Sequence, residues 1–152
     1  MTASRHDMAD IAMLTLANHA EVQNGLLYMS GAEWDTVTRT YPQGGQAKPQ
    51  HLAVALSVVV PWLEANTPLR VSIRMEDEDG QTRLLEAGLD LEVGRPPGKP
   101  HGSDSRSAVA FTGEVQFPKS GGYRVVASIG AGATKTYSFR VVDQVIPVPL
   151  AS

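Results

Sequence analysis

Apolar and polar residues alternate along most of this chain with the two-residue period of a β-strand. His51 to Val60 carries the pattern most clearly. Leu52, Val54, Leu56, Val58 and Val60 fall on one face, and the small residues Ala53, Ala55 and Ser57 on the other, with Val59 after them. Pro61 ends this strand. Leu69, Val71, Ile73 and Met75 alternate with Arg70, Ser72, Arg74 and Glu76, the signature of a half-solvated antiparallel strand. Asp79-Gly80 predicts a hairpin turn. The return strand runs from about Thr82 to Val93, with Leu89, Leu91 and Val93 inward and Gly88 as a bulge. Ala108 to Phe117 alternates again, with Val109, Phe111, Val115 and Phe117 on one face.

Gly122 to Val142 reads as a further hairpin. Tyr123, Val125, Ala127 and Ile129 share a face of its first strand, and Tyr137, Phe139 and Val141 a face of its second. Gly130 to Ala133 supply the turn. Nearer the N-terminus, Ala, Met and Leu between Asp10 and Ala20 suit either a helix capped by Asp7 or Asp10 or a strand buried on both faces. Strand is the expectation. After the Asn24-Gly25 turn, Leu26 to Thr38 reads as one strand bent at Ser30-Gly31, with Trp34 as its anchor. Pro42, Gly44, Gly45 and Pro49 predict a loop over Tyr41 to Gln50, and Gly94 to Ser107 is a long Pro- and Gly-rich loop. About eight strands with turns between them predict an all-β fold, a two-layer antiparallel β-sandwich. Its expected limits are a lead at 1–9, one domain at 10–143 and an extended tail at 144–152.

Composition narrows the function classes. An apolar content of 42% over 152 residues supports one core, and 14 glycines with 10 prolines suit many turns. A net charge of −3 argues against a nucleic-acid partner. The chain has no cysteine, which excludes disulfides, thiolate metal sites and cysteine nucleophiles and leans towards the cytoplasm. The run Ile11 to Ala17 is short and flanked by Asp10 and Asn18, unlike a signal peptide. Leu52 to Leu63 contains Pro61 and falls short of the roughly 20 residues of a membrane span. A soluble protein with no membrane partner is expected.

Pro118-Lys-Ser-Gly-Gly-Tyr-Arg-Val125 resembles the corner before the penultimate strand of immunoglobulin-like domains. There a tyrosine two residues before a core position ties its hydroxyl back to upstream backbone. Tyr123 and Val125 would fill those places. The immunoglobulin disulfide is absent, so the likeness is architectural. The chain also resembles an uncharacterised bacterial family of single-domain β-sandwich proteins. The matching features are Gly25 to Gly31, Leu69 to Gly80, the loop with Pro96, Pro97 and Pro100, and the corner from Phe117-Pro118 to Gly122-Tyr123. That resemblance implies an immunoglobulin-like or C2-like architecture and a bacterial source, and no activity.

Candidate chemistry is sparse. Asp77 and Asp79 have the spacing of calcium ligands but lack the later ligands of an EF-hand loop, so a solvated hairpin tip is the simpler reading. His6, His19, His51 and His101 show no paired metal spacing. Ser30, Ser57 and Ser120 form no nucleophile elbow. Glu33 with Asp35 and Asp90 with Glu92 share strand faces that read as solvated. Arg95, Lys99, His101 and Arg106 make the long loop a candidate binding loop for an acidic partner or a phosphate. No cofactor and no catalysis are implied.

The expected function is therefore a non-catalytic binding or structural module acting through protein contacts. The alternative is a calcium- or carbohydrate-binding module using Asp77 and Asp79 or exposed Trp34 and Trp62. In the tail, Val145, Ile146, Val148 and Leu150 are apolar beside Pro147 and Pro149. Such a segment is expected to dock on a partner chain or a second copy, forming a homodimer, rather than to lie across its own sandwich.

Overall fold

Alternation along the strands becomes the two sides of each sheet, and the computed structural model describes them over residues 8–149. Among those residues lie β1 (Asp10–Gln23), β2 (Leu26–Ala32), β3 (Thr36–Pro42), β4 (Gln50–Val60) and β5 (Leu69–Asp77). They are followed by β6 (Arg83–Leu91), β7 (Ser105–Val115), β8 (Gly121–Ile129) and β9 (Thr134–Ile146). One sheet has the order β2-β1-β4-β7, the other β3-β9-β8-β5-β6. The chain is an all-β sandwich, as its pattern predicts. Neighbours pair antiparallel except β3 and β9, which run parallel.

The core lies between the sheets. Leu52, Val54, Leu56, Val58 and Val60 of β4 cluster with Val71, Ile73 and Met75 of β5, Val125 and Ala127 of β8, and Phe139 and Val141 of β9. On the other side of β4, Ala53 and Ala55 are buried within the chain itself, against Ala20 and half-buried Leu27 and Ala110. The small-residue face thus needs no partner to cover it.

The predicted corner forms. The Tyr123 hydroxyl donates to the Lys119 carbonyl at 2.6 Å, and Val125 two residues on is fully buried. Phe117, Tyr123 and Phe139 meet there, with ring centroids 5.1 Å apart for Phe117–Tyr123 and 5.9 Å for each of the other two pairs.

Several boundaries differ from expectation, each for a physical reason. The stretch read as one bent strand is two strands in different sheets. Gly31 and Glu33 adopt φ of 59° and 65°, and the chain crosses between layers there. The left-handed backbone favours glycine at Gly31, and a Cβ there would have to displace the Asn18 side chain. β3 then takes Tyr41 and Pro42 out of the expected loop, and proline is tolerated because β3 is an edge. Gly88 pairs in register with Ser72; the irregularity lies between Met75 and Glu76. Gly88 instead leaves room for the Arg70 guanidinium. β7 begins at Ser105, so Arg106 is a strand residue.

β9 passes the expected domain limit at 143. Thr40, Tyr41 and Pro42 pair with Gln144, Val145 and Ile146 of the same chain. Arg140 N–H donates to Asp35 and Gln43 N–H to Ile146 carbonyl, so even-numbered residues of this end of β9 turn their backbone towards β3. Odd-numbered residues turn to where β8 has already ended, since β8 starts at Gly121 opposite Val141. Pro147 follows on that unpaired side, where a missing N–H removes no ladder bond.

Tyr123→Phe is expected to lose one buried hydroxyl bond and about 1 kcal/mol of stability in denaturant unfolding. Val125→Ala is expected to cost about 2 kcal/mol. Unchanged midpoints for both would mean the corner does not hold the core.

Candidate functional site

Three charged clusters and one apolar edge hold the chemistry of the surface. The first cluster fastens β3 to β9. Arg39 and Asp143 are register partners. Arg39 Nε donates to Asp143 Oδ1 at 2.7 Å and Nη2 to Oδ2 at 2.9 Å, a two-pronged ion pair. Nη1 donates to the Phe117 carbonyl at 2.8 Å, and the Tyr41 hydroxyl to Asp143 Oδ2 at 3.2 Å. The hydrogen bond from Arg39 holds the Asp143 carboxyl below its ordinary range despite the opposing effect of burial. A cleft of about 310 Å3 beside it is lined by Arg39, Tyr41, Gln46 and Gln116. Every Arg39 nitrogen already donates to a protein oxygen, and the charge is paired with Asp143.

The second cluster is the acidic β5–β6 turn. Burial pushes Glu76 up, but Arg124 directly opposite on β8 and Arg74 beside it outweigh burial and hold it below the ordinary value. The distances are 2.8 Å from Arg124 Nη2 to Glu76 Oε1 and 3.3 Å from Arg74 Nε to Oε2. Asp77 Oδ1 accepts the backbone N–H groups of Gln81 at 2.8 Å and Thr82 at 3.2 Å. The Thr82 bond is the main reason its carboxyl sits low. Asp77 thus organises the turn, while Asp79 points to solvent at its tip. No group of three or more His, Cys, Asp or Glu that could hold a metal occurs among the described residues.

The third cluster is the proline loop, an exposed segment whose side chains rest on Trp62 and on the loop's own backbone. Arg95 donates through Nε and Nη2 to the Trp62 carbonyl, at 3.2 and 2.6 Å, and its guanidinium lies 4.3 Å from the Trp62 ring centroid. His101 sits against the same ring at 4.7 Å. Lys99 Nζ donates to the Asp104 carbonyl at 2.5 Å. Arg106 lies on β7, outside this group. The four cations thus divide between the loop, which carries Arg95, Lys99 and His101, and the start of β7, which carries Arg106. Trp62, in the connection from β4 to β5, is bracketed by Arg95 and His101 of the loop after β6. Trp34 is half-buried against the core, edge-on to Phe139 at 5.8 Å, rather than exposed for a sugar.

The apolar edge is β2. Leu26, Tyr28 and Met29 are 60%, 49% and 41% exposed, with Val22 exposed nearby on β1. The pattern hides this, because an unbroken Leu-Leu-Tyr-Met run reads as buried on both faces. The available signal is the complete lack of charge and proline in Leu26–Ala32. In the tail, Val145, Ile146 and Val148 also expose their side chains, although the backbone through Ile146 belongs to the chain's own sheet. Leu150 lies outside the described residues.

The model of a family of unknown function, DUF6941, matches residues 12–142. No match is found among curated proteins. Among solved structures the chain is similar to a β-glucosidase from Listeria innocua in complex with gluconolactone. The TM-score is 0.42 at 10% identity, covering 88% of this chain and 16% of that one. A likeness so distant says nothing about activity. No helix among the described residues is long and apolar enough to cross a membrane.

Asp143, Glu76 and Asp77 all have carboxyls held below their ordinary values. Their contribution is fully present above the ordinary carboxylate range, about pH 4, and is lost as pH falls through the lowered values. The melting temperature is expected to hold from neutral pH to about pH 5 and drop below pH 4. Asp143→Asn should make that acid limb shallower; an unchanged limb would show that the Arg39 pair carries no folding energy. Deleting residues 97–104 removes His101 from Trp62. This is expected to red-shift tryptophan emission and cost about 1 kcal/mol, whereas a freely solvated loop would leave both unchanged.

Proposed function

The chain belongs to the family of unknown function DUF6941, and for it we propose a non-catalytic protein-binding module on an immunoglobulin-like frame, working through the edge strand β2. The observation that carries this reading is the contrast among the sheet edges. Among the described residues β3 has Arg39 and Pro42, β6 has Arg83, Glu86 and Asp90, and β7 has Arg106 and Glu114. β2 has neither charge nor proline, and exposes Leu26, Tyr28 and Met29. Edge strands normally carry such residues to prevent pairing with other chains, so an edge without them suits one that pairs.

The strand order supports the immunoglobulin-like frame. β4 and β7 stand as B and E of one layer, and β9, β8, β5 and β6 as G, F, C and C′ of the other, with Tyr123 at the start of F. The paired charges support a binding role over catalysis, since Arg39, Glu76, Asp77 and Asp143 are engaged in holding strands and turns. Calcium binding is the weaker reading because Asp77 Oδ1 already has two donors. A cysteine-free chain suits a reducing compartment and supports a cytoplasmic placement. The net charge of −3 favours protein over nucleic acid as partner.

A photo-reactive benzophenone side chain at Tyr28, in cells making the protein, is expected to give a covalent protein adduct. The same group at Asp90, on the charged edge β6, should give none. Equal yields at the two positions, or none at either, would contradict the reading.

A further inference from the structure

We infer that the strand received by β2 is β2 of a second copy of this chain, paired antiparallel across a two-fold axis; this rests on β2 being the binding edge. Antiparallel partners share a face, so a two-fold axis normal to the sheet sets residues of equal parity opposite each other. An axis through Tyr28 places Tyr28 against Tyr28 of the other copy, Leu27 against Met29 and Leu26 against Ser30. Aromatic and aliphatic cross-strand pairs of this kind are favourable, and no like charges meet within the ladder because β2 has none.

The nearest repeated charge is Glu21, the register partner of Tyr28 on β1. In the joined order β1-β2-β2-β1 the two Glu21 residues stand three strand spacings apart, about 14 Å. That exceeds the Debye length of about 8–10 Å at physiological salt, so their repulsion is screened. A charged foreign strand would meet no opposite charge on β2, while an uncharged strand of matching length is present on the chain itself. The two four-stranded sheets become one of eight strands. A seven-residue strand is only about 23 Å long. The contact therefore belongs to the small, reversible class of interface, well under the roughly 800 Å2 per partner of a tight complex.

Sedimentation of the purified chain from micromolar to millimolar concentration is expected to move its mass from 16.3 kDa towards twice that value. Tyr28→Lys and Met29→Lys should hold it at the monomer, and Ile146→Lys, at another exposed apolar site, should not. Benzophenone at Tyr28 needs no added charge. In the purified chain it should join Tyr28 to residues 26–32 of the other copy. A chain monomeric at millimolar concentration overturns the inference, as does a dimer that survives both lysine variants or a cross-link to residues 147–152. If adducts to a different protein still form at Tyr28 in cells, β2 remains the binding edge and only the self-pairing fails. If no adduct forms anywhere, both fail.

Discussion

Closure of this sandwich depends on one corner, where Phe117, Tyr123 and Phe139 come into contact. Phe117 arrives from the β7 layer, while Tyr123 and Phe139 belong to β8 and β9 of the other, so the three rings join the sheets. The Tyr123 hydroxyl fixes the approach by holding the Lys119 carbonyl. Arg39 extends the same corner outward. It grips the Phe117 carbonyl and Asp143 together, which ties the parallel edge strand β3 to β9. Beside the corner, buried Leu52 and Val115 carry the core on from this end.

The same economy governs the charges. Glu76 is satisfied by two arginines, Asp77 by a turn, half-buried Glu64 by the Ala9 N–H and the more exposed Asp143 by Arg39. Surface selection then falls to the sheet edges. Three of the four edges among the described residues are blunted by charge or proline, and the unpaired side of β9 runs into Pro147. β2 alone has no such protection, and that asymmetry is the basis of the proposed binding role.

Much of the frame was legible because alternation is a local property. β4 shows its core side in Leu52 to Val60, and Gly122 to Val142 shows a hairpin with its tyrosine placed for the corner. What stayed hidden was non-local. Arg39 and Asp143 are 104 residues apart, and nothing near either one announces a parallel pairing. The crossing at Gly31 looks like a bulge in sequence, because both need the same left-handed backbone. Proline and glycine made the loop after β6 look free, yet Arg95 and His101 pack it onto Trp62 through contacts set by the fold. The exposed face of β2 was concealed for a different reason: position at a sheet edge, rather than composition, decides whether Leu26, Tyr28 and Met29 are covered.

Residue-resolved hydrogen exchange at increasing protein concentration tests the role of β2 most directly. Protection of amides within Leu26–Ala32 should rise with concentration, while amides of the charged edges β6 and β7 keep constant rates. Rates in β2 that do not change with concentration, or that change equally at all edges, would contradict a self-pairing edge at that strand.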